Sequence, residues 1–278
     1  MNFQTDKPKK GMNAGLVAAH AARAAKLDGK TPLQVGAAKT KTALDWVYRW
    51  GWSSPTILDM LGGSARRGLA ARLVRNGLLL STRTSSGGAV RGVPAYILTL
   101  TETGQAEVER LCENLLPYER DPYKAIRQQD HLRHDHLAQM ATARAVIDRK
   151  IAGYKTEKEL AEASAHGMKQ SDVVWLLDDM AMGIEVELTS KFERRLDQFV
   201  FGCIQALFGN ASQPPRFRWI SIITDSPAIK RRYEKALMPG AKYRVWSKDK
   251  RGYWVSANET KTVPENIKGR IIWQFIDG

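Results

Sequence analysis

Residues 171–191 read SDVVWLLDDMAMGIEVELTSK, and this stretch decides the fold of the second half of the chain. Two apolar runs, SDVVWLL and IEVELTS, flank the turn-like segment DDMAMG, which is the pattern of a β-hairpin. Successive side chains of a strand point to opposite faces, so Glu185 and Glu187 share one face. With the hairpin closed at DDMAMG, Asp172 is expected nearly opposite Glu187, and the three carboxylates then converge.

Three carboxylates at one point repel one another unless a cation is bound. Their hard oxygen atoms suit Mg²⁺ or Mn²⁺, which is the expected cofactor. Such an ion lowers the pKa of bound water and neutralises charge that builds on a phosphate. The predicted metal ligands are Asp172, Glu185 and Glu187. Lys191 follows Glu187 by four residues and is long enough to reach the same pocket, so it completes the predicted catalytic set.

The residues around this hairpin alternate between helix and strand patterns. HLRHDHLAQMATARAVIDRKI (131–151), KFERRLDQFVFGCIQALFG (191–209) and PAIKRRYEKAL are predicted helices. RFRWISIITDS is typical of a buried strand, and YRVWS and GRIIWQFI are predicted late strands. Residues 131–278 are therefore predicted to form an α+β or α/β domain with a mixed sheet flanked by helices.

Residues 39–116 are predicted to form a smaller domain of a different kind. TKTALDWVYRW is helical, SSPTILDMLGG begins with a serine cap and a proline, and Ser64 is expected to cap a third helix, SARRGLAARLVRNG. The strands LLLSTRT and VPAYILTLT flank the loop SSGGAVRG, and ETGQAEVERLCENL is a closing helix. This order is typical of a winged helix-turn-helix. GVPAYILTLTETG (92–104) resembles the wing-to-last-helix segment of bacterial winged-helix proteins.

A winged helix places its third helix in the major groove and its hairpin loop against the backbone or the minor groove. The predicted contacts of this domain with double-stranded DNA are Arg66, Arg67, Arg72, Arg75, Arg83 and Arg91. Two later clusters are expected to follow the backbone of a scissile strand, namely Arg194, Arg195, Arg231 and Arg232. The alternative is that the domain binds protein and that these arginines form solvated faces.

The charge distribution supports a polyphosphate partner. The chain has 278 residues with 43 Lys and Arg against 29 Asp and Glu, a net charge of +14. Residues 1–100 hold 15 of the basic residues and 4 of the acidic ones, so most of the excess lies in the first third. Residues 1–38 are predicted to be a flexible basic arm, and residues 117–130 a linker that carries prolines and charges.

The composition excludes several classes of protein. At 43% hydrophobic and 26% charged residues the chain is not of the disordered class. It contains no apolar run of about 18 residues and no signal peptide, so we expect no membrane insertion. Cys112 and Cys203 are too few for a disulfide framework or a zinc site. The expected compartment is the cytoplasm.

The acidic hairpin resembles the PD-(D/E)xK nuclease superfamily, and a restriction-endonuclease-like fold is what this implies for the second domain. Ser171-Asp172 stands for the Pro-Asp of that pattern, and Glu185-Val186-Glu187 stands for Glu-x-Lys. Glu187 occupies the usual lysine position. Either the lysine has moved to Lys191 or the activity is weakened.

The combination of both halves resembles the MobC-type conjugative relaxases and the related replication-relaxation proteins. HLRHDHL (131–137), SDVV…GIEVELTSKFERR (171–195) and IKRRYEKAL (229–237) occupy the corresponding places. The resemblance implies a plasmid mobilisation protein that binds an origin of transfer and nicks one strand, with relaxosome or coupling-ATPase partners. The alternatives are a catalytically inactive accessory factor or plasmid repressor, and a restriction-type or repair nuclease.

Three further interpretations concern single residues and one segment. His131 and His134 share a helix face, where a structural role is favoured over metal ligation, with an auxiliary role at the acidic site left open. Tyr233 is a possible nucleophile, although a surface tyrosine beside a phosphate-binding cluster is favoured. YRVWSKDKRGYWVS interleaves aromatic and basic residues, which suits single-stranded DNA, although a half-buried hairpin is the commoner form.

Overall fold

The computed structural model describes residues 29–63, 68–126, 129–161, 170–210 and 213–276. These residues form helices and three sheets, one of five strands and two of two strands. The predicted mixture of helices and strands is confirmed at this level. No helix in the described ranges is long and apolar enough to cross a membrane.

The first part of the chain is mainly helical. Its elements are α1 (Pro32–Trp50), α2 (Pro55–Leu61), α3 (Leu69–Arg75), β1 (Leu79–Arg83), β2 (Tyr96–Leu100) and α4 (Glu102–Glu109). Strands β1 and β2 pair antiparallel, with Leu79 opposite Leu100.

Helix α1 begins earlier than the sequence pattern predicted. Thr31 and Gln34 form a capping box, and Pro32 occupies the first turn, where its missing N–H costs no hydrogen bond. The predicted boundary at residue 38 is therefore wrong, because residues 32–38 are helical. Residues 1–28, the rest of the predicted arm, lie outside the described residues.

The start of α3 is tied to α2 by a buried carboxylate. Ser54 caps α2, as predicted, and its Oγ accepts from Ile57 N at 3.3 Å. The predicted cap of α3, Ser64, lies outside the described residues, and α3 begins only at Leu69. Its N-terminus is satisfied by Asp59 Oδ1, which accepts from Gly68 N at 3.3 Å and from Ala70 N at 3.0 Å. Asp59 thereby fixes α3 relative to α2.

The predicted linker, residues 117–130, is docked at Tyr118 and partly helical among its described residues. It contains the short helix α5 (Pro122–Ile126), and helix α6 begins within it at Gln129. The Tyr118 hydroxyl accepts from Leu100 N at 2.8 Å and donates to Gly51 O at 3.0 Å. Because these bonds reach two elements of the first part, the segment is anchored against it.

The second part of the chain is built on the five-stranded sheet. Its elements are α6 (Gln129–Ile147), β3 (Gly153–Thr156), α7 (Glu157–Ala161), β4 (Val173–Leu177), β5 (Met180–Val186), α8 (Glu193–Phe208), β6 (Trp219–Thr224), α9 (Pro227–Ala236), β7 (Lys242–Lys248), β8 (Trp254–Thr262), a 3₁₀ turn (Glu265–Ile267) and β9 (Ile271–Phe275). The strand order is β3-β4-β5-β6-β9. The first three strands are antiparallel, and β6 and β9 run parallel to β5. Strands β7 and β8 form a separate hairpin.

Helices cover both faces of the sheet. Ile184 and Val186 of β5 belong to an apolar cluster with Leu137 and Ala141 of α6. The opposite face packs against α8 and α9 in a second cluster. Glu185 and Glu187, which alternate with Ile184 and Val186, therefore lie on the side of α8 and α9.

Helix α6 joins the two parts. The Gln139 side chain is fully buried; its Oε1 accepts from Trp46 Nε1 at 3.0 Å and from Ser53 Oγ at 2.8 Å, and its Nε2 donates to Trp52 O at 3.0 Å. His136, one turn earlier, bonds Ser54 Oγ at 3.0 Å and Gly92 O at 3.1 Å.

We expect Asp59→Ala to lower the free energy of unfolding by about 1–2 kcal/mol, because two N–H groups at the start of α3 lose their acceptor. Urea unfolding followed by circular dichroism measures the change. Asp59→Asn is the matched control, since it keeps an acceptor oxygen and removes the charge. Wild-type stability of Asp59→Ala would show that the carboxylate does not hold the start of α3.

Candidate functional site

The acidic hairpin closes at a two-residue turn. Leu177 pairs with Met180 across Asp178 and Asp179, and Val173 pairs with Ile184. Asp172, one residue before Val173, therefore lies across from Glu185. The prediction that it lies opposite Glu187 is wrong, because Met180, Ala181 and Met182 belong to β5 and not to the turn. The positive φ of 37° at Asp178 is what permits so tight a connection.

The Asp172 carboxylate is turned toward the edge of β5 and helix α6. Its Oδ2 accepts from Val186 N at 2.7 Å and lies 3.2 Å from His134 Nε2. The other ring nitrogen of His134 lies 3.1 Å from Asp135 Oδ1. Asp172 thus extends the hydrogen bonding of the sheet before the start of β4 and ties the sheet to α6.

His134 is held as a cation between two carboxylates. Burial opposes protonation of the ring, but the hydrogen bonds to Asp135 and Asp172 outweigh it and raise the pKa of His134 to about 10. A protonated imidazole has no lone pair for a metal ion. Both ring nitrogens of His134 thus face carboxylates, an arrangement that favours a structural role over ligation.

A cavity of about 310 Å³ opens beside this ion pair, between the first part of the chain and the sheet. Trp50 and Trp52 line one side, and Asp135, Asp172 and Glu157 lie on the other. Burial raises the pKa of Glu157, and the charges of Asp172 and Asp135 raise it further. Two of these three carboxylates, Asp135 and Asp172, are paired with His134. The exposed His131 also borders the cavity.

Glu187 is engaged on the other face of the sheet. It is 4% exposed, forms an ion pair with Lys191 Nζ, and accepts a hydrogen bond of 2.9 Å from the Tyr233 hydroxyl. Tyr233 is fully buried, so the interpretation as a surface tyrosine is wrong. Burial raises the pKa of Tyr233, and the negative charge of Glu187 adds to the shift. A buried phenol that donates to a carboxylate is poorly placed to attack a phosphate.

Glu185 lies on the same face as Glu187 and is also buried. Its charge acts on Arg216. Burial lowers the pKa of Arg216, and the negative charge of Glu185 partly opposes that shift. Glu185 and Arg216 are thus opposite charges in one partly desolvated region.

The structure therefore divides the predicted catalytic set between the two sides of the sheet. Asp172 contacts α6, whereas Glu187, Lys191 and Tyr233 form one group on the side of α9. Within the described ranges no group of three or more His, Cys, Asp or Glu side chains is arranged to hold a metal ion. The residues do not fit the expected Mg²⁺ or Mn²⁺ as they are placed here.

The predicted DNA contacts fall into four groups. Arg66 and Arg67 lie outside the described residues. Arg72 is partly buried, with Nη2 3.5 Å from Thr40 Oγ1. The guanidinium groups of Arg194 and Arg232 stack on aromatic rings, those of Trp254 and Phe192, at 4.9 and 3.9 Å from the ring centroids. The remaining predicted contacts are exposed: Arg75, Arg83, Arg91, Arg195 and Arg231.

His136 and Gln139 were not predicted to matter, although a signal for them exists. Leu132, His136, Gln139 and Ala143 follow one another at helical spacing, so two polar residues interrupt an apolar stripe. Such an interruption indicates buried polar groups with fixed partners.

We expect His134→Gln to destabilise the protein in a pH-dependent way. Because the pKa of His134 is raised from 6.5 to about 10, its stabilisation is complete below pH 6.5 and is lost as the pH rises through 10. The stability difference between wild type and His134→Gln should therefore be largest, about 1–2 kcal/mol, at the acidic end and shrink toward pH 10. Urea unfolding across this range measures it; a difference that does not change with pH would exclude the ion pairs.

The resemblances to PD-(D/E)xK nucleases and to MobC-type relaxases stay predictions, because comparison of the chain with protein-family models, curated proteins and solved structures found no match.

Proposed function

We propose that the protein binds double-stranded DNA through residues 32–109. The observation that carries this proposal is the charge of residues 60–101, which contain six arginines and no acidic residue. A stretch of 42 residues whose only charged side chains are positive suits a phosphate backbone.

The arrangement of this segment supports a winged helix-turn-helix. Helices α1, α2 and α3, the β1–β2 hairpin and α4 follow in that order. Helix α3 carries the exposed Arg75, and the hairpin carries Arg83 and Arg91. In this proposal α3 enters the major groove, and the loop between β1 and β2 contacts the adjacent backbone.

The loop is also held in place, which favours contact with a ligand. The Thr84 Oγ1 atom donates to Pro94 O at 2.8 Å across the base of the loop. Gly92 O lies 3.1 Å from His136 Nδ1, and burial lowers the pKa of His136, so the neutral ring donates from Nδ1 and accepts from Ser54. Fixing the loop before binding reduces the entropy lost on binding.

The second part of the chain is in this proposal a nuclease-like scaffold. Its helix α6, three antiparallel strands, α8, β6 and α9 support a restriction-endonuclease-like arrangement. Glu187 is neutralised by Lys191, and Asp172 is paired with His134. These pairings favour a DNA-binding accessory factor or plasmid repressor over a cleaving enzyme.

Arg75→Ala tests DNA binding. We expect affinity for a duplex of about 30 base pairs to fall several-fold, and the slope of log K against log salt to decrease by about one, because one phosphate contact is lost. Fluorescence anisotropy over a salt series measures both quantities. Arg144→Ala is the matched control, since it removes an exposed arginine from α6, in the other part of the chain. Equal losses in both variants would show a diffuse charge effect and contradict the assignment of α3.

A second candidate function is strand-specific nicking at an origin of transfer, with relaxosome or coupling-ATPase partners. Two observations favour it: Asp172 lies across from Glu185 in the register of the sheet, and the pKa of Glu157 is raised beside Asp172. Crowded carboxylates of this kind occur where a cation binds. No reaction step follows from the present arrangement, because the carboxylates do not form a metal site.

For this candidate we expect Mn²⁺-dependent conversion of supercoiled plasmid to the nicked form, abolished by Glu185→Gln. Agarose gel electrophoresis of the products measures it. Asp179→Asn is the control, because it removes a carboxylate from the exposed turn of the same hairpin. Nicking that survives in Glu185→Gln would contradict this candidate. If the wild type binds DNA but does not nick it, only the binding function is supported.

A further inference from the structure

A groove of about 550 Å³ runs between helix α8 and the β7–β8 hairpin. Lys191, Arg195, Gln198, Arg244, Trp246 and Trp254 line it. We call it the hairpin groove. None of these residues belongs to the segment proposed to bind duplex DNA or to the cavity beside Asp172.

An exposed aromatic ring lines the hairpin groove, and two more belong to residues next in the chain to lining residues. Trp254 is 40% exposed, Tyr253 next to it is 68% exposed, and Phe192 before the start of α8 is 56% exposed. An exposed ring inside a groove, with further exposed rings on residues adjoining its lining, provides apolar surface for a ligand.

Each of two rings is accompanied by cations. The Arg194 guanidinium and the Lys248 ammonium lie 4.9 and 5.5 Å from the Trp254 ring centroid. The Arg232 guanidinium lies 3.9 Å from the centroid of Phe192. Residues 242–262, the hairpin itself, contain six basic and two acidic residues. Aromatic rings and positive charges are thus in direct contact with one another.

The hairpin is attached to α8 by a polar contact. Asp197 Oδ2 accepts from Trp246 Nε1 at 2.9 Å and from Arg244 Nε at 3.3 Å. Tyr243 is buried against α8, with its ring 6.3 Å from that of Phe201. These contacts fix β7 against α8, while Trp254 of β8 stays exposed.

We propose that the hairpin groove binds single-stranded nucleic acid. Bases stack on the exposed rings, and phosphates pair with the lysines and arginines between them. A duplex hides the faces of its bases, so the rings favour a single strand over double-stranded DNA. An acidic peptide would use the charges but would gain nothing from a stacking surface.

The test is fluorescence anisotropy with the full chain and a labelled oligothymidine of about 12 nucleotides. We expect binding that Trp254→Ala weakens about tenfold, because a stacked base loses its ring, and that Trp254→Phe weakens much less. Arg195→Gln should weaken binding and lower its salt dependence. Tyr123→Ala is the matched control, since Tyr123 is 61% exposed on α5, far along the chain from the groove.

Three competitor arms separate the sources of binding. An abasic strand of equal length keeps the phosphates and should compete far less well than oligothymidine; equal competition would overturn the stacking. Oligouridine that competes as well as oligothymidine would show that the groove does not distinguish RNA from DNA, as stacking alone predicts. A polyglutamate peptide that competes as well would overturn the proposal in favour of an acidic protein partner. Arg75→Ala should leave oligothymidine binding unchanged while it weakens duplex binding, so this site and the duplex site can fail separately.

Discussion

The buried amide of Gln139 is the contact on which the relation between the two parts of the chain depends. It lies on α6, and its three hydrogen bonds go to Trp46, Ser53 and Trp52 of the first part. A buried polar group without partners is costly, so all three bonds must form together. They fix the orientation of the amide and with it the position of α6 against α1 and α2. Helix α6 packs in turn on the sheet, so the helices of the first part and the strands of the second form one continuous core.

Much of the fold could be predicted from local signals. Ser54 and Pro55 indicate the start of α2. The alternation of Ile184, Glu185 and Val186 indicates a strand with one apolar and one polar face. The strand register could not be predicted, because it depends on which residues form the turn, and DDMAMG offers several choices. The predicted boundary at residue 38 was wrong because it relied on apolar spacing, and few apolar side chains occur before Leu44. The capping box at Thr31 is the stronger signal for the start of α1.

At the candidate site, residues that are close in sequence do not all meet in the structure. Three carboxylates and a lysine close together in sequence suggested one pocket, yet Asp172 points to His134 while Glu187 is matched by Lys191 and Tyr233. The charged neighbours of Tyr233 suggested a surface residue. Ile229, Tyr233 and Leu237 occur at intervals of four, which is the spacing of a buried helix face, and this signal outweighs the neighbours.

The contact of α6 with Gly92 shapes the loop that we propose to contact DNA. Gly92 has a φ of 77°, and a Cβ there would lie 3.2 Å from Arg133 Cγ. Only glycine combines this backbone conformation with so close an approach. The direction in which Arg91 is presented is therefore set by a helix of the other half of the molecule. Residues 32–109 do not form a self-sufficient unit. Without α6 they would keep their arginines and lose the surface against which the loop is shaped.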